Sequence, residues 1–223
     1  MSADGTGFLY PFLGAAERDA DSLLADLARS AREKAAESAA LQRATIAEFG
    51  ELVEKAAAEM APRFAAGGRL YTFGNGGSST DAAILAGLFA RPPEGRPLPS
   101  WSLAADQAVL TALGNDVGFD LVFSRQLIAH SGESDIALAM STSGGSADLL
   151  RALEEAKRRG LLTIGFAGYD GGRFATEGYV DFCFVVRSQS VHRIQESQAV
   201  LGYLLWAVVQ RRLAEGEGSD ERR

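Results

Sequence analysis

The sequence predicts an α/β fold: a three-layer α/β/α domain with a central parallel sheet, preceded by an N-terminal helical arm. Three features predict it. From Leu70 onward, short apolar runs of strand length alternate with stretches of helical character, the pattern of a parallel sheet covered on both faces. Two glycine- and serine-rich segments, Gly74–Ser79 and Ser141–Ser146, each follow such a run and open a helix. Ahead of them, Ala15 to about Ala66 is dense in Ala, Glu, Leu, Arg and Lys, the strong helix formers.

Taken in order, residues 1–14 carry Gly5, Gly7, Pro11 and Gly14 and are expected to be irregular, with Phe8, Leu9, Tyr10, Phe12 and Leu13 available to dock. Leu23, Leu24, Leu27 and Ala31 recur at helical spacing, and Ile46, Phe49, Leu52, Val53 and Ala56 do so again in what reads as a second helix. This arm, residues 1–66, either packs on a partner subunit or covers the domain's own core. The domain proper spans 67–214. Leu70–Phe73 is its first strand and leads through the first loop into a helix ending near Ala90. Arg91–Pro97 is a loop by its proline and glycine content. A strand around Ser100–Ala104 leads to Asp106 and another helix. Ile136–Met140 is a buried strand running into the second loop and a helix through Arg158. Leu161–Ala167 and Val180–Val186 are the last strands, Gly168–Gly172 follows the first of them, and Arg193–Leu213 is the last helix. Residues 215–223 are charged and expected to be a disordered tail.

Composition narrows the function. At 223 residues the chain is the size of one domain with a modest extension, and 47% hydrophobic content is enough for a sizeable core. The net charge of −7 argues against nonspecific binding to nucleic acid or to an anionic membrane, so an anionic ligand must be held by a local site. Cys183 is the only cysteine, which excludes an intrachain disulfide and fits a cytoplasmic location. A basic segment followed by an apolar run is absent from the N-terminus, and no apolar stretch reaches the roughly 18 residues of a membrane span. With one cysteine and two histidines, His130 and His192, a conventional zinc site is hard to assemble.

The two loops carry the chemistry. In Gly74-Asn75-Gly76-Gly77-Ser78-Ser79 the glycines allow close backbone approach, and Ser78, Ser79 and Thr80 offer hydroxyls at a helix N-terminus. Ser79 stands where a dinucleotide fingerprint has its third glycine, and no Lys-Ser/Thr pair follows to make a P-loop. Ser141-Thr142-Ser143-Gly144-Gly145-Ser146 repeats the arrangement with more hydroxyls around two glycines. Amides and hydroxyls at a helix entrance can hold a phosphate without a lysine. Either loop alone could be only a serine-capped turn; two at the carboxyl ends of one sheet point to a ligand.

The series Gly74–Ser78, Gly114-Asn115-Asp116, Ser141–Ser146, Gly168–Gly172 and Arg193-Ile194-Gln195-Glu196 resembles the motifs of bacterial phosphoheptose isomerases. These belong to the sugar isomerase (SIS) family and interconvert sedoheptulose 7-phosphate and a manno-heptose 7-phosphate. The likeness runs from about Gly67 to Ala214, and the arm matches in character only. It implies a SIS-type domain in a homotetramer, or a homodimer, with sites between subunits. It further implies that Ser141, Thr142, Ser143 and Ser146 cradle the phosphate, that Asn75 and Ser78 meet the sugar, and that Asp106 and Gln195 occupy further pocket positions.

The chain departs from that family at its acid–base groups. An aldose–ketose isomerase moves a proton between adjacent carbons and needs a base and an acid flanking an enediol. Where the resemblance implies a His and a Glu on the helix after the first loop, and a His on the last helix, this sequence has Ile84, Leu88 and Tyr203. The same positions serve the family as zinc ligands, so only Gln195 of that set remains and no zinc or other cofactor is expected. His192 and Glu196 are the substitute catalytic candidates, with Asp106 beside them. Asp116 reads as a turn former, and His130 as a surface residue. Two functions follow. One is a binding or regulatory protein that keeps the phosphosugar pocket, as the related DnaA-associating replication-initiation protein serves as a tetrameric partner of another protein. The other is an active sedoheptulose 7-phosphate isomerase with altered chemistry.

Overall fold

The computed structural model describes residues 20–220; the irregular segment expected over residues 1–14 lies outside them. Helix α1 (Ala20–Ala65) is followed by β1 (Leu70–Gly74), α2 (Gly77–Ala90), β2 (Ser100–Ser102) and α3 (Gln107–Asp116). A 3-10 turn (Phe119–Leu121) leads into α4 (Val122–His130), then come β3 (Ile136–Met140), α5 (Ala147–Arg158), β4 (Leu162–Gly168), α6 (Gly172–Thr176), β5 (Phe182–Val186) and α7 (Val191–Asp220). The strands form one parallel sheet in the order β2-β1-β3-β4-β5. The expected α/β class with a parallel sheet is therefore the observed one.

The chain divides into one unit ending at Ala40 and another beginning at Leu41. In the first, residues 20–40 are helical and largely exposed, Leu24 and Leu27 included, and Arg29 pairs with Asp26 at 3.0 Å. In the second, Phe49, Val53, Ala56, Ala57, Met60 and Phe64 recur at helical spacing and are buried against the sheet. Two helices were expected over this arm; there is one. Its one glycine, Gly50, and its one proline, Pro62, both lie beyond Ile46, so nothing between Ala31 and Ile46, where one helix would give way to the next, stops the helix.

Alternation along the strands builds the two halves of the core. Ile136, Leu138 and Met140 face the side covered by α1, α2 and α7, with Ile164, Phe166 and Phe184 beside them. Ala137 and Ala139 face the other side, where their small size lets α5 approach with Leu149, Ala152, Leu153 and Ala156. Helix α4 packs on the same side through Phe123 and Leu127. Its nine residues went unread in the sequence because such a short segment shows barely two turns of periodicity. The last helix also runs beyond Leu213 to Asp220, where a disordered tail was expected from Glu215; Leu213 is buried in the core, and Arg211 lies 3.9 Å from Glu215 one turn on. Residues 221–223 lie outside the described residues.

Strand order reverses between β1 and β3, which leave the sheet in opposite directions along it but end side by side, Gly74 paired with Met140. Open parallel sheets take ligands at such a crevice. The loop after β3 is held from behind by the loop after β4: Gly168 N donates to Thr142 O at 3.0 Å and Phe174 N to Gly144 O at 3.1 Å. Gly144 has φ +62°, and a Cβ there would overlap the Gly171 carbonyl oxygen. Gly144→Ala is expected to lose at least about 1–3 kcal/mol from the left-handed backbone alone. Urea unfolding would read this as a lower midpoint at unchanged slope; an unchanged midpoint would mean the loop can move aside.

Candidate functional site

At the end of β1, a Cβ on Gly74 would sit 2.7 Å from the carbonyl oxygens of both Met140 and Ser78, so only glycine lets the first loop turn this close to β3. Gly76 takes φ +56° and opens α2, placing Ser78, Ser79 and Thr80 in its first turn. Ser78 is buried and Thr80 exposed. Asn75 reaches across to the neighbouring loop: its Nδ2 donates to both carboxylate oxygens of Asp148, at 3.1 and 2.9 Å. Asp148 stands in the first turn of α5 and is buried. Burial pushes its pKa up, and the hydrogen bonds from Asn75 and the Leu149 amide act against that.

The second loop mixes hydroxyls that hold it together with hydroxyls left for something else. Ser141 Oγ is buried and accepts from Gly144 N at 3.0 Å, and the Ser141 carbonyl accepts from Gln198 Nε2 at 2.9 Å. Ser143 is exposed, with only a long 3.4 Å contact from Gly145 N. Ser146 is the N-cap residue of α5, yet its side chain makes no capping bond, and Thr142 is half-buried beside it. Thus Ser143 and Ser146 keep hydroxyls at a helix entrance, where the backbone dipole favours an anion.

Helix α7 closes the site from the far side. Gln195 Nε2 donates to Asp81 Oδ2 at 2.8 Å, and a Cβ on Gly77 would lie 2.5 Å from that nitrogen, so the glycine is what admits the amide. Burial raises the Asp81 pKa, opposed by the Gln195 bond. Gly77, Thr80, Asp81, His192, Gln195 and Glu196 line an open hollow of about 510 Å³, with His192 and Glu196 exposed at its rim. A smaller hollow of about 70 Å³ adjoins it, sharing Asp81 and Ala199. Its walls are Ile84, Leu85, Leu88, Met140 and Tyr203, and Ile84 and Tyr203 are 66% and 54% exposed.

The structure therefore gathers Asn75, Ser78, Ser141, Thr142, Ser143, Ser146 and Gln195 around the carboxyl ends of β1 and β3, with His192 and Glu196 next to Gln195. It does not bring Asp106 to them within the chain. Asp106 caps α3, accepting from the amides of Ala108 at 2.9 Å and Val109 at 3.1 Å, and lines a separate hollow with Trp101, Ser102 and His130. Asp116 ends α3 and accepts from the Asn115 amide. Sequence reasoning passed over Asp81, Asp148 and Gln198. Each is an ordinary polar residue in a helical stretch, and only the packing reveals that Asp81 and Asp148 hold Gln195 and Asn75 and that Gln198 holds Ser141. Among the described residues no three of His, Cys, Asp or Glu converge as a metal site would require.

The Asn75–Asp148 link yields a pH test. A buried carboxyl with a raised pKa favours its neutral form in the fold, so its burden on stability is absent at low pH and develops as pH rises through the usual carboxylate range. Removing the donor raises that pKa further. Asn75→Ala is expected to lose about 1–3 kcal/mol at neutral pH, and less below about pH 4, where the unfolded carboxyl is protonated too. Equal losses at both pH values in urea unfolding would contradict the assignment.

The family model described as "SIS domain" matches residues 35–168. Among curated proteins, the chain is 41% identical over 181 residues to the phosphoheptose isomerase of Solidesulfovibrio magneticus, covering 80% of this chain and 87% of that one. It is 40% identical over 165 residues to that of Aneurinibacillus thermoaerophilus, covering 73% and 82%. Among solved structures, the phosphoheptose isomerase of Neisseria gonorrhoeae superposes with a TM-score of 0.76 at 30% identity, covering 82% of this chain and 98% of that one. That of Francisella tularensis does so with a TM-score of 0.77 at 27% identity, covering 82% and 97%.

Proposed function

The chain belongs to the SIS-domain family and resembles its phosphoheptose isomerases, and from that premise we propose that it binds a phosphorylated sugar without the usual isomerase chemistry. The observation that carries this reading is the adjacency of the two hydroxyl-bearing loops, Gly74 paired with Met140. The phosphate is taken by the entrance of α5, with Ser143 and Ser146 donating. The sugar extends toward Ser78, Asp81 and Gln195. With a net charge of −7, the protein cannot draw in an anion by its overall field, and the site must act locally.

We infer further that catalysis by the family's His/Glu/His set is lost. Ile84, Leu88 and Tyr203 form an apolar wall there, which neither transfers a proton at neutral pH nor holds a zinc ion, and the Gln195 amide is engaged by Asp81. The role that fits is a sensor or regulatory binder in the cytoplasm. Among the described residues no helix is long and apolar enough to cross a membrane.

A second reading, a sedoheptulose 7-phosphate isomerase with substitute groups, is favoured by one observation: Asp81, His192 and Glu196 line a single hollow. The two readings separate cleanly. Incubation with sedoheptulose 7-phosphate is expected to give no aldose product by NMR; product formation that disappears in His192→Ala or Glu196→Ala would establish the second. For the shared part, Ser143→Ala and Ser146→Ala are each expected to weaken sugar-phosphate binding by about 1.5–3 kcal/mol, the worth of a charge-assisted hydrogen bond. Unchanged affinity by calorimetry would reduce the loop to a turn.

The assembly we infer is a homotetramer or homodimer. Its support in this chain is the helical stretch 20–40, where Leu24 and Leu27 are 62% and 57% exposed on one face. Leu24→Glu with Leu27→Glu is expected to lower the mass measured by light scattering. A variant of unchanged mass would place the subunit contacts elsewhere.

A further inference from the structure

We propose that the sugar phosphate this site selects carries an N-acyl group, which enters the small apolar hollow between Ile84, Leu88 and Tyr203. The inference rests on the phosphosugar reading above and adds the class of sugar. A sugar hydroxylated at every carbon must set a hydroxyl against whatever lies next to Gln195 and Asp81. On one side that neighbour is a wall of Ile84, Leu85, Leu88 and Met140. A hydroxyl pressed there loses its water and gains no hydrogen bond, which is unfavourable.

The hollow is small as well as apolar. Its 70 Å³ accommodates roughly two groups of water size at ~30 Å³ each, the scale of a carbonyl and a methyl. Three polar residues line it: Gln198, which is buried and whose Oε1 has no hydrogen-bond partner among the described residues, and Asp81 and Tyr203. Asp81 lines both hollows; its Oδ2 accepts from Gln195, and Oδ1 is the remaining acceptor. The Tyr203 phenol is on the exposed rim.

An acylamino group matches this distribution. Its N–H is a donor for Asp81, its carbonyl an acceptor for the Tyr203 hydroxyl, and its methyl an apolar end for Ile84 and Leu88. A deoxy carbon would satisfy the wall but leave Asp81 Oδ1 and the Tyr203 hydroxyl unengaged by the sugar. A free amine would place a cation against the leucines. The nearby hollow of about 510 Å³ has room for the sugar itself.

Calorimetric titration of the full-length protein tests this with sugars that differ at one carbon. The probes are the 6-phosphates of N-acetylglucosamine and N-acetylmannosamine, glucose 6-phosphate, 2-deoxyglucose 6-phosphate and sedoheptulose 7-phosphate. At least one N-acetyl compound is expected to bind about 10-fold or more tighter than glucose 6-phosphate, the discrimination that one buried methyl-sized group gives. In Leu88→Gln the ratio between those two affinities is expected to fall to about one. Equal binding of the acetylated and plain sugar phosphates, or tighter binding of the heptulose, would overturn the N-acyl inference and leave the phosphosugar reading standing. An equal gain from the 2-deoxy compound would replace the acyl group by bare apolar contact and overturn it too. Binding of none of these compounds would overturn both readings together.

Discussion

The rest of the site depends on the parallel pairing of β1 with β3, and on the missing side chain at Gly74. Those strands leave the core side by side at the point where the strand order reverses. Two carbonyl oxygens, from Met140 and Ser78, lie where a Cβ on Gly74 would stand. Any larger residue would push the first loop away from the second and separate the two helix entrances. Asn75 then ties the loops through Asp148, so the same approach that shapes the site also satisfies a buried carboxylate.

The anion seat we propose has a particular electrostatic character. It relies on helix N-termini and neutral hydroxyls, whose fields are short-ranged, rather than on lysine or arginine. The neighbouring carboxylates of Asp81 and Asp148 are each buried enough to raise their pKa, and each is held by a side-chain amide, from Gln195 and Asn75. Amide donors fix the carboxylates without adding positive charge. The carboxylates are thus held without a lysine or arginine beside them, and in the proposed seat selectivity comes from the shape and polarity of the walls. Ile84, Leu88 and Tyr203 set that polarity on one side.

Much of the fold was legible in the sequence because each signal was local. Short apolar runs named the strands to within a residue or two, since a strand buried on both faces must be apolar throughout, as Ile136–Met140 is. Glycine and serine clusters marked the turns into α2 and α5. Where the signal was weak or spread out, reading failed: α4 is too short for its period to stand out, and the arm held no breaker that would distinguish one helix from two.

The sequence by itself determined the fold class, the two hydroxyl loops and the residue types at positions 84, 88 and 203, because residue type and spacing alone carry that information. Only the tertiary structure decided which groups meet. That Asn75 binds Asp148, that Gln195 binds Asp81, that Asp106 faces a different hollow, and that Ile84, Leu88 and Tyr203 make one apolar wall all follow from contacts between helices far apart in the chain. Those contacts are set by how α2, α5 and α7 pack on the sheet, and packing of distant elements leaves no local mark on the residues that end up touching.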